Sequence, residues 1–466
     1  MVLFLFLIPP IISYITFPLK KENITSSTYY QNIQRKVFSQ MLESGLYIIL
    51  NIGSQKVDIK AFLVLARTQL VVAGKNIIYH KYDETESFTY NMTSNKTVGF
   101  QYCVYTEGLL STEKMTILNN NKELNFVDIN FIVATKSSPV FKREKEGEVG
   151  FHLPTTTADN DYNLILNFKK NNITSSTYWY LNFDNFEKGE GQMIIDAFPH
   201  SLDSQKYKEE NFVKTNVINR YAFIWGFKFS SINIGNQKLD LGEDLRAHIE
   251  LEYGIISAPK KVGEELKSLF FESYMNQSIC FQESIGRDGN YFFYCNKSDK
   301  LDIKKFESIF FNCPDLNIVF ELNYQDLFYT EGDYVYFKIE FNYYIYWTFG
   351  EAFLKKYYIV FDQQDKTVGY YYTPMEEEEK EKEQNSTTST TTNNPTNFNI
   401  IMLIIIIFLV IFCAVFVGLF IYNKKKERKK KANELDDDFN YEPKSDFDKD
   451  KNKILDDNNI ESINTM

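Results

Sequence analysis

The chain has 466 residues, 51 Lys+Arg against 62 Asp+Glu for a formal net charge of -11, and 44% hydrophobic positions. At roughly 150 residues per unit that length suggests about three units. The 41 Phe and 32 Tyr exclude a disordered polymer, the 20 Gly and 11 Pro exclude collagen-like or Pro-rich material, and the acidic balance excludes a general nucleic-acid binder, which needs a basic face for phosphates.

Met1 to Ile15, with the run Val2 to Ile8, has the length of a signal-peptide core and is too short to span a bilayer. Residues 1–18 are read as a cleaved secretory signal, with a buried N-terminal strand as the alternative for the same run. From Tyr30 to Thr373 helical patterns are few. Short apolar or alternating runs predict strands at Leu46 to Ile52, Ala61 to Val72, Phe126 to Ala134, Gln192 to Asp196, Phe223 to Phe229, Ile232 to Ile234, Tyr334 to Phe341 and Tyr357 to Asp362. Pro259 followed by Val262, Leu266, Leu269 and Phe270 predicts one helix over 262–274. The class is mainly β, in two lobes.

Residues 374–399 change to an acidic run, Glu376 to Glu383, and then a Ser/Thr/Asn tract, the composition of a solvated stalk. Ile400 to Tyr422 is 23 residues without a charge, long enough to cross a bilayer as a helix. Lys424, Lys425, Lys426, Arg428, Lys429, Lys430 and Lys431 follow, which predicts a cytoplasmic side there and a single-pass type I topology with a lumenal or extracellular ectodomain. That cluster could recruit anionic lipid, but its role as a stop-transfer anchor needs nothing more. Residues 423–466, with little apolar content, read as a disordered tail. Asn-Ile-Thr-Ser-Ser-Thr-Tyr occurs at both Asn23 and Asn172 without extending into a repeat.

Sequons at Asn23, Asn91, Asn95, Asn172, Asn276, Asn296 and Asn385 all fall on the predicted outer side and are candidates for glycosylation. Of five cysteines, Cys413 lies in the span, leaving Cys103, Cys280, Cys295 and Cys313 in an oxidising compartment. Cys280 and Cys295 enclose a hairpin-like stretch and are the first choice for a disulfide among three possible connectivities. His80, His152, His200 and His248 lack metal-ligand spacing, and no serine-hydrolase or phosphate-loop pattern occurs, so no metal, cofactor or nucleotide is expected.

Tyr346-Trp-Thr-Phe-Gly350-Glu-Ala-Phe-Leu-Lys-Lys-Tyr-Tyr-Ile-Val-Phe-Asp362, with Val368-Gly369-Tyr370 after it, closely resembles the C-terminal signature of pepsin-family aspartic proteases. Further segments follow in the family's order. Asn51-Ile-Gly-Ser-Gln55 is similar to the turn before the first catalytic motif, Phe100-Gln-Tyr102 to the flap strand, Glu146-Gly-Glu-Val-Gly-Phe151 to Asp-Gly-Ile-Leu-Gly-Leu, and Gly189 to Asp196 to the strand closing the first lobe. The resemblance implies a bilobal fold, with an N-terminal lobe over 30–200, a C-terminal lobe over 201–373 and a peptide-binding cleft between them.

The family mechanism needs two carboxylates facing one water, one ionised and one protonated, each from an Asp-Thr/Ser-Gly loop. By resemblance the first triplet is Val64-Leu65-Ala66 and the second Glu250-Leu251-Glu252. Val64 cannot exchange a proton, and no Asp or Glu lies between Lys60 and Tyr79. Glu250 is therefore expected to lack a partner carboxylate, and an apolar contact of Leu65 with Leu251 to replace the polar brace between the loops. Val71 takes the place of the tryptophan that supports the flap tyrosine, which the resemblance assigns to Tyr102. Tyr102 closes over a peptide or simply packs in its hairpin. Glu250 and Glu252 either meet a basic ligand or stand solvated at the cleft rim.

The expectation is a type I membrane-anchored, pepsin-like pseudoprotease with a binding or scaffold role for a peptide or protein in its cleft, and with Leu65, Leu251 and Glu252 as cleft candidates. The alternative is an acid endopeptidase with an atypical site using Glu250.

Overall fold

The computed structural model describes residues 14–22 and 32–371, apart from 66, 79, 100–104, 120–121, 138–144, 154–159, 220–222, 243–244 and 287–288. Tyr102, Cys103, Asn23, Asn385, the stalk, Ile400 to Tyr422, the basic cluster and the tail lie outside the described residues. Among those described, no helix is long and apolar enough to cross a membrane.

Strand dominance follows from period-two burial. In Leu46–Ile52 the residues Leu46, Ile48, Leu50 and Ile52 are almost fully buried while those between are partly exposed. One sheet of thirteen strands gathers the strands between Ile15 and Asn216 together with Ile359–Asp362 and Thr367–Tyr371. A nine-stranded and a four-stranded sheet use the strands between Gly226 and Phe349. The last strands thus leave the second half and return to the first, where Val360 pairs with Tyr180 and Phe361 with Trp179. The Trp179 ring stacks on Phe361 at 4.1 Å between centroids.

The N-terminal strand is Ile15–Lys21, paired with Gln192–Ile195 and Leu46–Ile52. Phe17 and Leu19 are buried in the main core. This strand overlaps the end of the segment 1–18 and precedes residue 30. A leader cut at 18 would remove half of it, whereas a cut before Ile15 leaves it whole.

Between Glu22 and Gly45, whose backbones are bonded N–H to O at 3.0 Å, the chain leaves this sheet and crosses to the second lobe. Its helix Ile33–Leu42 starts at Asn32, whose side chain accepts from the Gln34 and Arg35 N–H groups. Phe38 is fully buried and stacks on Phe292 of the second lobe at 3.9 Å. Arg35 pairs with Glu283. This strap helix was not legible in the hydrophobic pattern.

Several predicted strands are broken by turns, one of which carries the site loop after Val64. The run predicted as Ala61 to Val72 is two strands, Val57–Val64 and Leu70–Ala73, with a loop between. Phe223 to Phe229 and Tyr334 to Phe341 are each split as well. The predicted helix runs from Lys260 to Met275 with a π turn at Lys267–Phe271. The extra residue in that turn rotates the face, so Phe271 is buried while Leu269 is 46% exposed. Cys280–Ile285 and Asn290–Asn296 form the expected hairpin with Cys280 opposite Cys295, and these two are disulfide-bonded. Among the described residues Cys313 is a buried free thiol.

Candidate functional site

The two lobes carry the same four-strand unit in the same register. In the first, Val57–Val64 runs parallel to Gly147–Gly150, with Val64 opposite Gly150. Leu70 lies antiparallel to Val149, and Leu70–Ala73 is parallel to Lys122–Ser137. In the second, Arg246–Ile249 runs parallel to Trp347–Phe349, with Ile249 opposite Phe349, so the next step brings Glu250 to Gly350. Ile256 lies antiparallel to Phe349, and Ile256–Pro259 is parallel to Ile339–Asn342. Leu70 follows Val64, and Ile256 follows Glu250, by the same interval. Register alone therefore makes Val64 and Glu250 equivalent, and with them Leu65 and Leu251.

Both units need the glycine. A Cβ on Gly150 would run into Arg67 O and Gln69 N, and one on Gly350 into the carbonyls of Tyr253 and Ile255. These close approaches hold each loop against the strand beside it, through Gly150 N–H to Gln69 O at 3.0 Å and Glu250 N–H to Phe349 O at 3.0 Å.

At the equivalent positions the lobes differ in chemistry. Val64 is 3% exposed and apolar. In the second lobe the sequence Arg246-Ala-His248-Ile-Glu250-Leu-Glu252 alternates, sending Ala247, Ile249 and Leu251 into the core and the four polar side chains to the other face. Glu250 and Glu252 are thus neighbours on one loop, each partly buried. Burial, then the charge of Glu252, pushes the Glu250 carboxyl up to about 8. Burial also raises Glu252, opposed by the Leu65 N–H and by Lys145. That N–H donates across the lobes to both Glu252 oxygens at 3.0 Å.

Three further charges sit behind Glu252 in the first lobe. Arg67 and Lys145 pair with Glu148 at 2.8 and 2.5 Å, and all three are nearly inaccessible. Around Glu250 the groups are aromatic. The Tyr346 hydroxyl is raised by burial and by Glu250, its ring stacks on His248 at 3.9 Å, and the Arg246 guanidinium lies over the same ring at 5.6 Å. Tyr253 is likewise raised, by burial first, then Glu340 and Glu250.

The strap holds the same loop by its backbone. Ser44 N–H donates to Glu252 O at 2.9 Å, Ser44 Oγ donates to Leu251 O, and Gly254 N–H donates to Leu42 O at 2.9 Å.

One expectation changes: the brace between the loops is polar, because Glu252 reaches the Leu65 N–H. Val64 occupies the position equivalent to Glu250, and the carboxylate beside Glu250 comes from its own loop. Both glutamates are partly buried. Leu65 and Leu251 are buried in the main core, as is Val71 in a smaller cluster. Arg67, Lys145 and Glu148 were not singled out, because their burial depends on a strand register that sets Glu148 beside Phe62. The alternation from Arg246 to Glu252 was the available signal for Glu252. Among the described residues no cluster of His, Cys, Asp or Glu is suited to a metal ion.

A comparison with curated proteins finds no match. The family described as eukaryotic aspartyl protease matches residues 64–371, which takes in both equivalent loops and the C-terminal signature. With that match and the doubled strand unit, the chain belongs to the eukaryotic aspartyl protease family and carries a pepsin-like domain.

Proposed function

We propose that this chain is a pepsin-like protein that does not cleave peptides by the family mechanism and uses its interlobe cleft to bind a peptide or protein segment. The observation that carries the reading is the buried, apolar Val64 at the position equivalent to Glu250. A water between the lobes would meet a methyl group on one side and a carboxyl on the other, with no proton acceptor facing the acid. The first-lobe carboxylate whose charge reaches Glu252, Glu148, is engaged by Arg67 and Lys145.

The neighbouring carboxyls of Glu250 and Glu252 favour one second reading, an acid endopeptidase in which Glu250 donates and Glu252 accepts a proton. Against it, both oxygens of Glu252 already accept the Leu65 N–H, and both groups come from one side. For location, the apolar run Ile400 to Tyr422 followed by the basic cluster supports a type I membrane anchor with this domain on the lumenal or extracellular side. The exposed sequon residues Asn91, Asn172, Asn276 and Asn296 fit a glycosylated surface there.

Binding is tested by panning a peptide library on the full chain at pH 6 and measuring affinity for the selected peptides. Glu250→Ala and Tyr346→Ala are expected to weaken it at least tenfold. Affinity unchanged in both variants would place the binding surface elsewhere.

A further inference from the structure

The pair Glu250 and Glu252 is more than a remnant, because Glu252 is the acceptor through which the second lobe holds a backbone N–H of the first. We propose that the two glutamates form a proton-operated clasp between the lobes: one proton shared on the pair keeps it closed, and loss of that proton opens it. The inference stands whether or not the cleft takes a ligand.

Charge balance around the pair carries it. From the first lobe the groups facing Glu252 are the Leu65 N–H, Lys145 and, behind Lys145, Glu148 with Arg67. With Glu252 ionised and Glu250 neutral, two cations face two anions. From the second lobe Glu250 meets Tyr253 and Tyr346, neutral hydroxyls, with Tyr344 and Glu340 beyond Tyr253. Arg246 and His248 lie further up the same strand face, engaged with Tyr346. On the strap, the main chain of Glu43 bridges to that of Tyr253, and its side chain brings a further acid and no cation. Among the described residues the cations near the pair already have partners, Lys145 and Arg67 with Glu148 and Arg246 with Tyr346, so a second negative charge on Glu250 repels Glu252 without gaining a new counter-ion.

Opening should then be local. The strap fixes the main chain of Leu251 to Gly254, so the yielding contact is the side-chain reach of Glu252 to Leu65. An ionised Glu252 accepts the N–H more strongly than a neutral amide, so Glu252→Gln weakens the contact at every pH, while in wild type it is the repulsion from Glu250 that changes with pH.

The test is hydrogen exchange on the full chain at pH 5.5, 7 and 8.5, with labelling times scaled for the intrinsic pH dependence and peptides covering 62–65 read by mass spectrometry. Wild type should lose protection at Leu65 about tenfold between pH 5.5 and 8.5, while Glu250→Gln stays protected throughout. Glu252→Gln should lose protection at every pH. If Glu252→Gln does not fold, the wild type and Glu250→Gln decide alone. Protection that is flat with pH in wild type, or that falls equally in Glu250→Gln, overturns the clasp.

Discussion

Glu250 shows how one side chain couples proton binding to stability. Its carboxyl is raised above the ordinary carboxylate value by burial and by Glu252. A raised carboxyl contributes its full stability below the unfolded-state value near 4.5 and loses it as pH rises towards 8, because over that window the folded chain holds a proton the unfolded chain has released. Glu250→Gln, which stays neutral, should match wild type near pH 4 and exceed it by on the order of a few kcal/mol at pH 8. Denaturant unfolding of both proteins at pH 4, 6 and 8 measures this, and an equal gap at all three values would show that Glu250 does not titrate with folding. At this scale the sequence was partly readable. The loss of a carboxylate at Val64 needed only the identity of the residue. The burial of Arg67, Lys145 and Glu148 depended on a strand register that pairs Glu148 with Phe62, which no local pattern reveals.

Among the elements, the strap helix concentrates its burial in a single side chain. Phe38 fills a pocket against Phe292, Ile255, Ile285 and Tyr336, so Phe38→Ala should cost about 3–5 kcal/mol. Arg35, 41% exposed at its ion pair with Glu283, should cost under about 1 kcal/mol when changed to Ala. A denaturation series on the two variants checks the ranking, and equal losses would contradict it. The strap escaped sequence reading because its helix has one fully buried residue and its partner surface lies in the other lobe. Strands such as Leu46–Ile52 were legible because alternation is a local property. The break at Trp225 was not, since apolar residues continue through it; at Leu65 the polar Arg67, Thr68 and Gln69 marked the interruption, but the run on either side was read through it. The helix after Pro259 was legible in position, but its π turn moved the buried aromatic from Phe270 to Phe271.

For the whole molecule, duplication is the organising fact. Two units of the same strand order and register present equivalent loops to each other, and the final strands return to the first sheet and tie the halves together. The C-terminal signature made this fold readable, because Gly350 and the strands around it are the second copy of the arrangement around Gly150. The outcome at the cleft was less readable. Equivalence survived in the backbone while the side chains diverged, so that one loop contributes both carboxyls and the other contributes an apolar wall and an N–H. The central claim is that such a centre cannot perform family proteolysis. It is tested most directly by incubating the full chain with a broad peptide library between pH 3 and 6, with and without an aspartic-protease inhibitor. The account predicts no inhibitor-sensitive cleavage at any pH in wild type. Inhibitor-sensitive cleavage that disappears in Glu250→Ala would contradict it.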